Sequence, residues 1–71
     1  MKYKADPDLT NAKGCSPLFY AAHEGAVDIV RLLLQSNANI NAQTNTKMTP
    51  IFIAAIKGRT EVVELLLSNG A

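Results

Sequence analysis

His23 and Glu24 stand side by side, and a histidine next to a carboxylate is the pairing from which a general base is built. They follow one another on a stretch that reads as helix, where consecutive side chains diverge by roughly 100°. The sequence therefore predicts a solvent-facing pair at a helix end rather than a proton relay. The spacing also lacks the second histidine four residues on that a zinc protease helix needs. Cys15 offers a nucleophile or a soft metal ligand, but it is the only cysteine and His23 the only histidine. A metal site requires partners of those types, and a reactive thiolate requires an activating base nearby. Gly14 and Gly25 lie too far apart to form a phosphate-cradling loop. Tyr3, Tyr20, Phe19 and Phe52 resemble a stacking set for nucleic acid only if a basic surface surrounds them. Seven basic residues against six acidic ones supply no such surface. No catalytic residue, cofactor site or metal site is expected.

The same residues make better sense as parts of a repeated framework. Ser16-Pro17-Leu18-Phe19 returns 33 residues later as Thr49-Pro50-Ile51-Phe52, and Ala21-Ala22 as Ala54-Ala55. Gly25 returns as Gly58, Val30 as Val63, Leu32-Leu33-Leu34 as Leu65-Leu66-Leu67, and Ala38 as Ala71. A fixed offset of this length marks a stacked array, whose units bury their apolar faces only against their neighbours. Within each copy, Ser16 or Thr49 is placed to accept from free backbone N–H groups, and Pro17 or Pro50 suits a first helical position. One helix is expected to run to about Glu24 or Lys57 and end at Gly25 or Gly58. A second is expected over Val27–Ser36 and Thr60–Asn69, with Asp28 or Glu61 favouring its dipole. Asn37 and Gly70 follow it, the two residue types that best tolerate a left-handed backbone. Asp6–Gly14 and Asn39–Lys47 are rich in turn formers and poor in apolar residues, so they read as extended turns. Gly14 aligns with Lys47, which predicts a strained lysine if that position needs positive φ.

Thr49-Pro50-Ile51-Phe52-Ile53-Ala54-Ala55, then Gly58, Glu61 to Leu67 and Gly70-Ala71, resembles the ankyrin repeat. Ser16-Pro17-Leu18-Phe19-Tyr20-Ala21-Ala22, Gly25, Asp28 to Leu34 and Asn37-Ala38 resembles it again. The departure is Phe19 and Phe52, which stand where the family usually has a histidine bonded around the turn; apolar packing is expected in its place. The resemblance implies an all-α, ankyrin-type solenoid of helix-turn-helix units joined by hairpin-like fingers. In that register residues 1–10 are the tail of a preceding repeat, 11–43 a full repeat, and 44–71 a repeat lacking its last residues. The chain then reads as a piece of a longer array, with Met1 as a native start the alternative.

The resemblance also implies a non-catalytic protein-interaction module that recognises a partner through the fingers and the concave first-helix face. Carried over, the contact positions are Ala12, Lys13, Cys15, His23 and Glu24, and then Asn45, Thr46, Met48, Ile56 and Lys57. All lie outside the repeated framework and differ between copies. The alternative is a structural spacer or docking segment of a larger enzyme, channel or effector. A consensus design is disfavoured, since only 10 of 28 aligned positions are identical. The expected partner is a protein, with neither nucleic acid nor membrane involved. No run approaches the roughly 18 apolar residues of a spanning helix, and residues 1–8 lack the apolar stretch of a signal peptide. One cysteine excludes an intramolecular disulfide, so an intracellular, cytoplasmic setting is the simplest reading. Glu24 with Lys57 and Arg31 with Glu64 are expected ion pairs between stacked repeats, each contributing roughly 0–1 kcal/mol.

Neither end shows the polar face of a capping repeat, so both ends are expected to expose apolar surface and to permit head-to-tail self-association. About three repeats are usually needed for stability, and this chain has two and a remnant. A dilute monomer is therefore expected to melt at low temperature in a broad transition. Thermal scanning by circular dichroism checks this; a sharp transition above about 90 °C would contradict it.

Overall fold

The computed structural model describes residues 10–71. The preceding-repeat tail read in residues 1–10, Tyr3 included, lies outside them but for Thr10. Among the described residues there are four helices and no strand: α1 (Pro17–Glu24), α2 (Val27–Gln35), α3 (Pro50–Ile56) and α4 (Thr60–Ser68). Each ends within a residue of where the sequence places it. Ser16 and Thr49 hold extended backbones and cap α1 and α3, their hydroxyls accepting from Phe19 N at 3.2 Å and Phe52 N at 3.3 Å. Proline follows each cap, where its missing N–H is no loss.

All four helices stop in the same way. Ala26 N donates to Ala21 O and Gly25 N to Ala22 O; the same paired bonds run from Ala38 and Asn37, Arg59 and Gly58, and Ala71 and Gly70. This double closure needs a left-handed residue. It is supplied by Gly25 (φ 74°), Asn37 (φ 66°), Gly58 (φ 71°) and Gly70 (φ 96°). Asparagine is the non-glycine residue best suited to that conformation, so Asn37 bears it with little strain.

The helices pair within each repeat, α1 on α2 and α3 on α4, and the repeats stack α1 on α3 and α2 on α4. Leu18, Ala22, Val30, Ala54 and Leu66 are completely buried in one continuous core. Ala22 and Ala54 are small enough to let the first helices approach closely. Leu33 and Leu34, expected in the core, are only partly buried, whereas Leu66, the equivalent of Leu33, is sealed. The difference is positional, because the second repeat has the first packed against it. Phe19 and Phe52 separate in the opposite sense. Phe19 packs as expected, 5 % exposed, but Phe52 is 50 % exposed.

Leu66→Ala is expected to cost about 2–5 kcal/mol by leaving a cavity. Ala54→Leu is expected to cost about 1–3 kcal/mol by overfilling the helix contact. Denaturant titration checks both, with Ile56→Ala, at an exposed position, as the near-neutral control.

Candidate functional site

Two turns build the first part of the site. Asn11 N donates to Cys15 O at 3.1 Å and Gly14 N to Asn11 O at 2.9 Å; Thr44 N donates to Met48 O at 2.9 Å and Lys47 N to Thr44 O at 2.8 Å. Each turn is organised by the side chain of its first residue. Asn11 Oδ1 accepts from Lys13 N and Cys15 N, and Thr44 Oγ1 accepts from Thr46 N and Met48 N. These are the short polar side chains that bond their own backbone and so stabilise turns. Because one copy uses asparagine and the other threonine, comparison of the repeats by identity passes over the position.

The fingers are joined to one another. Asn45 N donates to Lys13 O at 3.1 Å, and Asn45 Nδ2 to Ala12 O at 3.1 Å. That junction explains the mismatch between Gly14 and Lys47. Both have left-handed backbones, at φ 78° and 69°. A Cβ on Gly14 would lie 2.5 Å from Asn45 Oδ1 and 2.9 Å from Asn45 N. Lys47 is exposed. Gly14 is thus held by conformation and by crowding, and Lys47 by conformation alone.

Six of the ten carried-over positions come together here. Ala12, Lys13, Cys15, Asn45, Thr46 and Met48, with Thr44, line one open cleft of about 240 Å³. Cys15 is a free, half-buried thiol in its wall, facing Met48 one repeat on. Asn45 belongs to the scaffold as much as to the surface, since its amide is engaged on the first finger.

The other four positions lie at the far end of the first helices. His23 is half-buried, and Glu24, Ile56 and Lys57 are exposed. Eight residues at about 1.5 Å rise put roughly 12 Å between Cys15 and His23, so thiol and imidazole do not form a catalytic pair. Two residues outside the sequence reading connect the groups. Tyr20 is 49 % exposed, and its hydroxyl accepts from Asn11 Nδ2 at 2.9 Å; it stands one helical turn before His23 and Glu24. Phe52 holds the same place relative to Ile56, both exposed and four residues apart on α3. Exposed aromatic rings had been read as packing residues, and only the loss of a covering repeat reveals them.

Three expectations about charge are corrected. His23 Nδ1 and Glu24 Oε2 lie 3.0 Å apart, so the adjacent side chains do meet, the relaxed helix end letting both swing together. Glu24 therefore turns to His23 rather than to Lys57. Arg31 Nη1 pairs with Asp28 Oδ1 at 3.5 Å on its own helix rather than with Glu64, since a partner one turn away requires no reach across repeats. The polar tie between the helix pairs is a different one. Arg59 Nε donates to His23 O at 3.1 Å, a cation on the negative end of α1. Its stem covers Gly25, where a Cβ would come within 2.8 Å of Arg59 Cδ. Arg59 aligns with Ala26, so nothing in the repeat comparison signals it.

Gly14→Lys is expected to destabilise the chain by more than the roughly 1 kcal/mol of a left-handed side chain, because it also displaces Asn45. Lys47→Gly is expected to be neutral or stabilising. Denaturant midpoints of the two variants check the contrast.

Among the described residues no group of three or more acidic, histidine or cysteine side chains is placed to hold a metal ion, and no helix is long and apolar enough to cross a membrane. Comparison with the curated proteins finds no match to the chain. The family model for ankyrin repeats (3 copies) matches residues 1–71. With its paired helices, capped by Ser16 and Thr49 and closed by left-handed residues, the chain belongs to the ankyrin-repeat family.

Proposed function

We propose that this chain is a non-catalytic module, working in an intracellular setting, that holds one protein partner across its two fingers and the exposed strip of its first helices. Ankyrin repeats are in general protein-interaction modules. The observation that carries the finer reading is the convergence of Ala12, Lys13, Cys15, Asn45, Thr46 and Met48 on one cleft. Those positions differ between the copies, while the positions that agree make the core or its boundaries. A fixed frame with a variable, contiguous surface is the arrangement that recognition requires.

The chemistry of the surface indicates the kind of ligand. The cleft is shallow and open, unlike the enclosed pockets that take small molecules. Ile56, Phe52 and Tyr20 supply apolar and aromatic anchors, and Lys13, Thr46, Lys57 and Glu24 supply a polar rim. Apolar anchors inside a polar rim form the usual anatomy of a protein–protein contact. With both fingers joined through Asn45, the surface is presented already ordered, which lowers the entropic cost of binding.

Ile56→Asp combined with Lys13→Glu is expected to abolish capture of a protein partner while leaving the circular dichroism unchanged. Glu64→Lys, on the second helix of its repeat, is expected to leave capture intact. Pull-down from a cell extract with the three proteins side by side checks this. Retention of the partner by the double variant, with loss in Glu64→Lys, would move the binding face to the second helices. A wild-type chain that retains nothing would favour the spacer reading.

A further inference from the structure

The two repeats have the same faces, but each is covered on only one of them. On the side of the first repeat that meets the second lie Phe19, Ala22, Val30 and Leu34. Their equivalents in the second repeat are Phe52, Ala55, Val63 and Leu67, identical residue for residue. Phe19, Ala22 and Val30 are buried, whereas Phe52, Ala55 and Leu67 are exposed, Leu67 at 56 %. On the opposite side the pattern inverts. Ile53 and Val62 of the second repeat are buried against the first; their equivalents Tyr20 and Ile29 are each 49 % exposed. The structure thus presents both halves of its own internal interface, unoccupied, at opposite ends.

We propose that a second copy of this chain docks head to tail, seating Tyr20 and Ile29 on the Phe52, Ala55 and Leu67 face in the register by which the second repeat sits on the first. The receiving face is the one already shown to accept an apolar repeat side, because its residues are the same. The incoming face keeps that side's character, with isoleucine for Val62 and tyrosine for Ile53. The fingers agree with this register. Ala12 of the second copy takes the place of Asn45, so the amide that crowds Gly14 is absent opposite Lys47. The two faces differ, so the contact is heterologous and propagates by addition at both ends. Phe52 lies beside the first-helix strip, but Ile29 and Leu67 are on second helices, so the proposal stands independently of partner capture.

Those two exposed residues provide the test. Sedimentation velocity on the 71-residue chain is expected to show a mean mass that rises with concentration without reaching a plateau. Leu67→Lys disables the receiving face and Ile29→Lys the incoming face, so each variant alone is expected to remain monomeric. Mixed in equal amounts they retain one working face each, and the mixture is expected to form a dimer and nothing larger. Ala55→Arg, at another solvent-exposed position, replaces Leu67→Lys if circular dichroism shows that variant unfolded. A mixture that stays monomeric would overturn the proposal. So would a wild-type chain that stays monomeric, or Ile29→Lys dimerising alone through two receiving faces.

Discussion

Contact between consecutive repeats is the constraint on which the structure depends. No helix here exceeds nine residues, a length at which isolated helices are marginal in water. Each is held by burial of one side against its partner helix and of another against the neighbouring repeat. Ala22 and Ala54 bring α1 and α3 close enough for Leu18 and Leu66 to be sealed completely. Stability in such an array is a sum of repeat and interface contributions. The one complete interface present has to support both repeats, and Arg59 on His23 O is its directional polar tie.

Repetition made the framework legible and hid whatever was not repeated. The caps, the helix pairs and the left-handed closures at Gly25, Asn37, Gly58 and Gly70 follow from residue types at fixed offsets. Lys47 is the clearest instance: its positive φ could be expected only because Gly14 stands 33 residues earlier. The polar interactions were less legible. Glu24 and Lys57, or Arg31 and Glu64, are neighbours by register, yet a long side chain takes the partner that costs least ordering. For Arg31 that is Asp28, one turn away. Arg59 and the Asn11–Thr44 pair went unseen because their equivalents are of different types.

The ten site positions were found as the complement of the framework. That procedure identifies what is free to vary, and six of the ten proved contiguous at the fingers. It does not find a framework residue that becomes surface at an uncovered repeat face. Tyr20 and Phe52 are of that kind, since their exposure depends on which neighbour is present and not on their own identity. The same asymmetry separates Leu33 from Leu66.

The junction between the fingers has a bearing on how such a surface changes over generations. Asn45 grips Ala12 and Lys13 by their carbonyl oxygens, atoms that every amino acid carries. The side chains at those two positions are invisible to the lock that holds them in place. Mutational drift at the fingertips is thereby uncoupled from the geometry beneath it, and a lineage can exchange one specificity for another without passing through a disordered intermediate. The freedom is unequal: Ala12 and Lys13 can diversify, whereas Asn45, which supplies the donors, has to be kept for the others to wander.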